Sequence, residues 1–568
     1  MKNRFIASFD TEDDGKGNPY LWCIVHGKGS WTGYSRESTL EYILTLARDL
    51  KLSDTVLELW ATNLEYDLVN LFGPERIAEL SLRFGKSYLV GASWKGHNTD
   101  FRDTVRHIPM SVKQLGELVG MPKLTMSKNQ KMNEAYCLRD AAITRRTAVW
   151  LNDLYKSFNI APKMTLASSA MAIWRDNYWQ REVKLPPKEI LTHAKEAYYG
   201  GRTEAFGIGT FKDVVALDVA SMFPWAMIAD KFPIPWGEFR RWGKDDSISP
   251  YGIYHCNVRS KILTPFLPVR TIKGTQYPNG VFTGWYCGIE ILYALNSGYS
   301  IEVTKGYEFL EYADPFKGYV NAFFAMKNEA KGPARMGYKL LLNSLYGKFG
   351  QTGDKVMAIP IEEFVKKKNP PLSYRIWNGI VIYPVKGNPP PWGNNLWSAL
   401  ITARARVRLA HEMEALTNKG ARVLYCDTDS IIFNGYAGNE YPEKASKAGE
   451  FELRGRYAEM FIAGKKEYGL RETTRSGWET HVKGVPANFR EKYLFEGNAQ
   501  YQAPVRLKEA ARRGLQANVW VDKEKVRKVN FKERIKRADN TFKPLVIDTR
   551  GKGQAQKKRG RKNGNRKN

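Results

Sequence analysis

Cysteine and histidine are scarce in this chain of 568 residues, with five of the first and seven of the second. The cysteines, Cys23, Cys137, Cys256, Cys287 and Cys426, are odd in number and form no C-x-x-C pair, which argues against structural zinc and for a reducing compartment. No histidines cluster in a ligand pattern, so imidazole chemistry is set aside and His107 and His411 read as ordinary core or surface residues. No apolar run approaches the roughly 18 residues that would cross a bilayer. Phe5-Ile6 passes straight into acids, unlike a leader segment. The expectation is a soluble, unprocessed, cytoplasmic protein. Acids are in deficit too, 59 against 88 Lys plus Arg, for a net charge of +29. An excess of that size points to a polyanionic partner, although a merely basic soluble protein would share it.

The chemistry that remains is carboxylate chemistry. Tyr425-Cys426-Asp427-Thr428-Asp429-Ser430 lies between the short apolar runs Val423-Leu424 and Ile431-Ile432-Phe433, which reads as a tight β-hairpin with two acids at its tip. Residues i and i+2 of an extended chain point to one side, so Asp427 and Asp429 are expected to face one spot, where a divalent cation would relieve their repulsion. An acidic turn joining two strands is the plainer alternative. Val215-Ala216-Leu217-Asp218-Val219-Ala220-Ser221-Met222-Phe223-Pro224 reads as an apolar strand that delivers a third acid, Asp218, and turns at a proline. Lys339, Asn343 and Tyr346 fall at helical i, i+4 and i+7, so one helix face carries a cation, an amide and an aromatic, which suits a nucleotide.

Together these three stretches resemble motifs A, B and C of family B DNA polymerases, DxxSLYP, Kx3NSxYG and YxDTDS, in the family's order. Motif A departs from the pattern, with Met222-Phe223 where Leu-Tyr is usual. The resemblance implies attack of a primer 3′-hydroxyl on the α-phosphate of a dNTP, with Asp218 and Asp429 as main metal ligands, Asp427 close by and Val219 in the metal set. It implies that Lys339 neutralises phosphate charge while Asn343, Tyr346 and Phe223 surround the nucleotide. Lys327 and Arg335 precede Lys339 by twelve and four positions, a cationic row suited to a triphosphate, or else a solvated helix face.

Asp10 and Glu12 stand at i and i+2 at the end of the strand Phe5-Ile6-Ala7-Ser8-Phe9, and Asn63-Leu64-Glu65-Tyr66-Asp67 follows a second apolar strand, Val56-Leu57-Glu58-Leu59-Trp60. Tyr136 and Asp140 share a helix face at i and i+4. As a set these resemble the DxE, Nx2-3(F/Y)D and Yx3D motifs of 3′-5′ proofreading exonucleases. That resemblance implies a second site, in which Asp10, Glu12, Asp67 and Asp140 hold two Mg²⁺ or Mn²⁺ ions, as in the first, and Tyr136 holds the attacking water. A supporting lysine is usual, and Lys123, Lys128 and Lys131 compete for that place. Tyr198-Tyr199-Gly200-Gly201-Arg202 resembles the YxGG element that touches template DNA, with the glycines as places for close phosphate approach. Lys466 and Tyr468 resemble the KxY element that holds the primer strand. The same likeness puts Tyr198, Gly200, Gly201, Asn63, Ser221, Gly347 and Thr428 on DNA.

The expected fold is α/β and multidomain: a ribonuclease-H-like exonuclease domain over 1–160, then a right hand with palm over 161–229 and 398–500, fingers over 316–350 and thumb over 501–548. Two insertions, 230–315 (mixed, irregular or β-rich) and 351–397 (a β-hairpin or extended loop), resemble those of the protein-primed subgroup from small bacteriophages and linear plasmids. They are assigned to a priming protein and to strand displacement. A helix before motif C, stepping Leu400, Ala403, Val407, Ala410 and Met413, is expected to be amphipathic with Arg404, Arg406 and Arg408 solvated. Residues 549–568 read as a disordered basic tail adding salt-sensitive DNA affinity. The implied partners are primer-template DNA, dNTPs and a priming protein, bound by a monomer without a membrane, in the host cytoplasm if the chain is viral. A non-catalytic binding protein would explain the charge but not the acids beside a Lys-Asn-Tyr face. A stand-alone nuclease would explain residues 1 to 160 only.

Overall fold

The computed structural model describes residues 3–85, 88–126, 133–528 and 534–549. Its first sheet grows from the strand Asn3–Asp13, parallel to Thr55–Ala61, which is parallel in turn to Thr99–Asp103; Pro19–His26 runs antiparallel on the other side. Alternation of apolar residues sets the register, and Phe9, Leu57, Leu59 and Phe101 are buried with Leu68 and Phe72 of the helix Leu64–Arg76. Each such side chain contributes about 1.5–3 kcal/mol relative to exposure. The long helix Asn133–Lys156 lies across the first two strands.

The second insertion joins this sheet. Lys355–Pro360, Arg375–Trp377 and Ile380–Val385 continue it past Leu80–Phe84 to ten strands, with Val356 opposite Phe84. The expected hairpin is thus a three-stranded unit with a short helix, Ile361–Val365. It covers an edge that would otherwise present unpaired N–H and C=O groups.

A seven-stranded antiparallel sheet forms from the segments expected as the palm, the label kept for it below. Its order is Glu479–Val482, Glu467–Arg471, Phe451–Gly464, Gly209–Val219, Ser430–Asn434, Arg422–Asp427 and Thr203–Ala205. The first insertion is β-rich: Phe239–Arg241, Ser300–Phe309, Ile253–Ser260 and Asn279–Cys287 form a sheet, with the helix Gly288–Asn296. Its fifth strand is Val546–Asp548, so the segment read as the end of the thumb returns to the first insertion. In the segment expected as the thumb, the label kept for it below, the hairpin Asn498–Pro504 with Trp520–Val526 encloses the helix Leu507–Arg513, and Val505, Leu507 and Ala510 enter the core of the N-terminal domain.

The helix before motif C, Asn395–Asn418, corrects two expectations. It is buried on every side from Asn395 to Arg406, so its first half is not amphipathic. Trp397 sits in an aromatic cluster with Phe316 and Phe349, at centroid distances of 5.3 and 5.4 Å. Arg404 and Arg406, expected in solvent, are 3% and 2% exposed. Arg404 donates to the carbonyls of Ala226, Asp230 and Lys231. Arg406 grips one oxygen of Glu290 at 3.0 and 2.8 Å and donates to the carbonyls of Tyr199 and Gly200. Two arginines at i and i+2 project in different directions, and both find protein because first insertion, palm and YxGG segment surround the helix. Arg408 is half-buried on Glu412 and the Gly449 carbonyl.

All five cysteines are buried free thiols. Among the described residues no helix is long and apolar enough to cross a membrane. Arg406→Met alone leaves the Glu290 carboxylate buried without its partner, and the expected loss is about 3–5 kcal/mol. Adding Glu290→Leu should recover most of it. A thermal melt in which the single variant matches the parent would show that the pair does not hold these elements together.

Candidate active sites

The motif C hairpin turns at Thr428, whose φ is 63°. The Thr428 N–H donates to the Arg202 carbonyl at 2.6 Å, and the Asp429 N–H to the Asp427 carbonyl at 2.7 Å. A Cβ on Gly201 would meet the Thr428 side chain at 2.8 Å, so packing against the motif C turn itself calls for that glycine. Gly200 and Gly347 border open space. Ser221 takes a left-handed φ of 53° at the turn into the helix Met222–Ile228.

Sheet register then decides which acids meet. Ser430 lies opposite Asp218, and the Val219 N–H donates to the Asp429 carbonyl at 2.7 Å, which sets Asp218 and Asp429 side by side. Asp427 is turned away from them, in contrast to the single spot expected for Asp427 and Asp429. Its carboxylate accepts from the Thr203 hydroxyl at 2.9 Å and is paired with the Lys466 ammonium. Burial first, then the Asp429 charge, pushes the Asp218 carboxyl up to about 7, and burial raises Asp429 as well. Glu452 lies opposite Asp218 on the neighbouring strand and adds to the shift. This fourth acid was missed in the sequence, where only the register could have revealed it.

Asp218, Val219, Ser221, Phe223, Lys327, Arg335, Lys339, Asn343 and Asp429 line one cavity of about 790 Å³, together with Lys444 and Glu452. The three motifs and the cationic row therefore converge. Burial first, then Arg335 and Lys339, lowers the Lys327 ammonium, as expected where cations crowd before their counter-charge arrives. The Phe223 and Tyr346 rings stack at 4.0 Å and 20°, although the α-helix ends at Ser344 and Tyr346 opens a 3₁₀ turn. The Tyr198 ring packs against Gly350. Lys466 is held at a φ of 61°, and Tyr468 is buried between Tyr425 and His481, so it supports the site more than it presents a surface.

In the N-terminal domain the strand Asn3–Asp13 carries Asp10 and Glu12, the helix Leu64–Arg76 carries Asp67, and the helix Asn133–Lys156 carries Tyr136 and Asp140. Thr11, between the first two acids, donates its N–H and hydroxyl to one Asp67 oxygen at 3.1 and 2.8 Å. Of the three lysines Lys123 is described: its ammonium pairs with Asp140 and lies 4.5 Å from the Tyr136 ring centroid. Lys128 and Lys131 fall outside the described residues. Asn63, at a left-handed φ of 72°, starts the Asp67 helix, with its N–H on Asp103 and its side chain exposed.

Burial, then Asp67, Glu12 and Asp140, raises Asp10 well above the ordinary range, and burial, then Asp140, brings Glu12 to about 7. Burial raises Asp67 and Asp140 too, Lys123 opposing the shift at Asp140. One buried Asp140 oxygen has no hydrogen-bond partner in the protein, and the Cys137 sulfur lies within 4.8 Å of ligand oxygens of Asp10 and Glu12. Crowded, desolvated oxygen donors with an orphaned anionic oxygen fit a hard divalent cation such as Mg²⁺ or Mn²⁺.

This N-terminal site is also tied to the thumb. Asn518, 4% exposed and at a φ of 65°, donates to the Tyr66 carbonyl and to the Asn70 side-chain oxygen, both at 2.8 Å. Asn70 donates to the Thr11 hydroxyl at 3.0 Å, and Thr11 donates to Asp67. Three hydrogen bonds thus run from a residue more than 400 positions downstream to an acid of this cluster.

Two outcomes are expected. Glu12 and Asp218 keep protons up to about 7, against unfolded values near 4. The metal-free fold therefore binds more protons than the unfolded chain, and the stability this gives is full below about pH 4 and lost as pH rises through about 7. Because divalent ions displace those protons, the melting-temperature gain from Mg²⁺ over EDTA should grow between pH 5 and 8; an equal gain at both ends would contradict the shifts. Secondly, Asn518→Ala, in a chain whose palm acids are silenced as Asp218→Asn and Asp429→Asn, should weaken Mn²⁺ binding about tenfold by EPR titration. Unchanged binding would reduce the relay to packing.

A family model described as DNA polymerase type B, organellar and viral, matches residues 120–376. A DNA polymerase of Kluyveromyces lactis is 26% identical over 461 residues, 72% of this chain and 44% of that protein. A probable DNA polymerase of Podospora anserina is 27% identical over 360 residues, 29% of its length. The chain thus spans less than half the length of these fungal relatives. The DNA polymerase of Bacillus phage B103 is 24% identical over 456 residues, 72% of this chain and 75% of the phage protein. Among solved structures, phi29 DNA polymerase complexed with primer-template DNA and incoming nucleotide substrates has a TM-score of 0.72 at 17% identity, covering 93% of this chain and all of that one. Its orthorhombic crystal form gives 0.73 at 16%. The likeness establishes a shared mixed α/β multidomain fold.

Proposed function

We propose that the chain is a DNA-directed DNA polymerase of type B, akin to the organellar and viral group whose model matches residues 120–376, with a 3′-5′ exonuclease in its N-terminal domain. The observation that carries this reading is the single cavity in which Asp218 and Asp429 face Lys327, Arg335 and Lys339 across the Phe223–Tyr346 stack. Acids on one side and cations on the other match a primer end that must lose a proton and a triphosphate that brings charge. Asp218, Asp429 and the Val219 carbonyl would hold Mg²⁺ or Mn²⁺, two ions per site, supplying Lewis-acid activation of the 3′-hydroxyl and stabilisation of the leaving pyrophosphate. The three cations orient the phosphates of an incoming nucleotide, a substrate with which phi29 DNA polymerase, similar in fold, has been solved. Phe223, braced by Tyr346, forms the wall beside the sugar. Lys466 keeps Asp427 neutralised, with its own chain beside the primer strand.

In the second site Asp10, Glu12, Asp67 and Asp140 would hold the same ions, while Lys123 orients Tyr136 and Asp140 toward the attacked phosphodiester. The first insertion, a separate sheet beside the palm, would seat a priming protein that offers a hydroxyl in place of a primer end. The second insertion, spanning from the palm to the N-terminal sheet, would part the downstream duplex.

Labelled dNTP on a primed template tests the reading in one assay. The parent should extend the primer, and without dNTPs should shorten it. Asp429→Ala should abolish extension and spare shortening, and Asp10→Ala with Glu12→Ala the reverse. On a nicked duplex the parent should displace the downstream strand. Absence of extension by the folded parent, or loss of both activities in either variant, would overturn the two-site assignment.

A further inference from the structure

A second cavity, of about 190 Å³, lies between the strand Thr203–Ala205, the end of the helix Asn395–Asn418, residues 263–277 of the first insertion and the returning segment 534–544. It shares no residue with the polymerase cavity or with the acids of the N-terminal site. Its lining grades from buried to exposed. Arg202 and Tyr277 are each 2% exposed and form the inner wall, whereas Leu263, Arg422, Arg537 and Lys543 are exposed and form the mouth. Pro265, Met413, Val423 and Phe542 give it an apolar side.

Two polar atoms of the inner wall have no hydrogen-bond partner in the protein: Nη1 of Arg202 and the hydroxyl of Tyr277. They belong to neighbouring groups, since the guanidinium carbon lies 4.4 Å from the Tyr277 ring centroid. The remainder of the Arg202 guanidinium is committed, Nε and Nη2 donating to one Glu204 oxygen at 3.0 and 2.8 Å, and Arg534 takes the other Glu204 oxygen at 2.6 Å. Asp539 is likewise occupied by Arg422 and Thr541. Both acids of the lining are thus saturated, while its cations are five: Arg202, Arg422, Arg534, Arg537 and Lys543. A buried donor left unpaired is costly, and two such donors on groups in contact suit the oxygens of one anionic group.

We propose that this cavity binds a small organic anion, a carboxylate or phosphomonoester on a compact apolar body, with its oxygens on Arg202 Nη1 and the Tyr277 hydroxyl and its body against Pro265, Met413 and Phe542. The position gives an occupant a route to the palm. The Arg202 carbonyl accepts the Thr428 N–H between Asp427 and Asp429, and Glu204 pairs with Cys426 in the strand that leads into motif C. The site is regulatory in character: nothing reacts there, and what it senses is transmitted through one peptide unit to the hairpin that carries the catalytic acid.

The test is binding to the full chain, with phenyl phosphate as probe and benzyl alcohol as its neutral counterpart, followed by titration calorimetry and saturation-transfer NMR. Phenyl phosphate should bind at least tenfold more tightly than benzyl alcohol. Tyr277→Phe, which removes one donor and keeps the ring, should weaken it about tenfold. Thr417→Trp, placed on the half-buried rim to fill the cavity, should abolish the aromatic saturation transfer. Phenyl phosphate binding that neither substitution changes would place the probe on the basic surface, and absence of binding would leave the cavity to water; either overturns the proposal.

Discussion

Carboxylates that must stand close together repel, and this chain places them in two partly desolvated clusters without a compensating positive charge for each. Two unit charges about 4 Å apart cost about 4 kcal/mol at an effective dielectric near 20. The scaffold has to withstand that force before any cation relieves it. In the palm the acids are anchored through backbone pairing: Asp218 by the ladder on both sides of its strand, Asp429 by its carbonyl on Val219, and the turn between the acids by Thr428 on Arg202. In the N-terminal domain the anchor is one residue, Thr11, which donates both its backbone N–H and its hydroxyl to Asp67. The raised carboxyls are the electrostatic trace of this arrangement.

The anchors depend in turn on groups far away in sequence. Arg202 can hold Thr428 because Glu204 and Arg534 fix its strand, and the Tyr199–Gly200 segment before it is held by Arg406 on Glu290. Removing the charge from either member of that pair would expose the other to a medium that cannot solvate it. The thumb performs the same office for the other cluster through Asn518, and its helix Leu507–Arg513 adds a donor, Leu507 N–H on Glu65 at 2.7 Å. What resembles a set of separate lobes is therefore continuous at the level of polar contacts.

The sequence carried the acids, the motif B face and the hairpin because those signals are local: two-residue alternation, helical spacing and a turn bounded by apolar runs. The strand from Phe5 to Phe9, the helix bearing Tyr136 and Asp140, and the strand that delivers Asp218 were all legible for that reason. Tertiary context overrode the local pattern elsewhere. Arg404 and Arg406 look solvated in a helix of mixed composition, yet a buried carboxylate and five backbone carbonyls await them from segments 116 to 207 positions away. Glu452 reads as an unremarkable strand residue until the register sets it opposite Asp218. Asn518 offers no motif at all. The contact of Lys123 with Asp140 is likewise tertiary and has no trace in the local spacing.

The difference between the two acids of motif C follows from the same geometry. Spacing alone makes Asp427 and Asp429 equivalent, but the left-handed turn at Thr428 breaks the extended conformation on which the i, i+2 rule rests. Asp427 ends one strand and meets Lys466 and Thr203, while Asp429 lies past the turn and meets Asp218. One acid is thereby neutralised by the protein and the other is left to be neutralised by something the protein binds. A tip at which both carboxylates converged with Asp218 would concentrate three like charges, none of them in an ion pair; diverting Asp427 lowers that repulsion and fixes Lys466 in the same step.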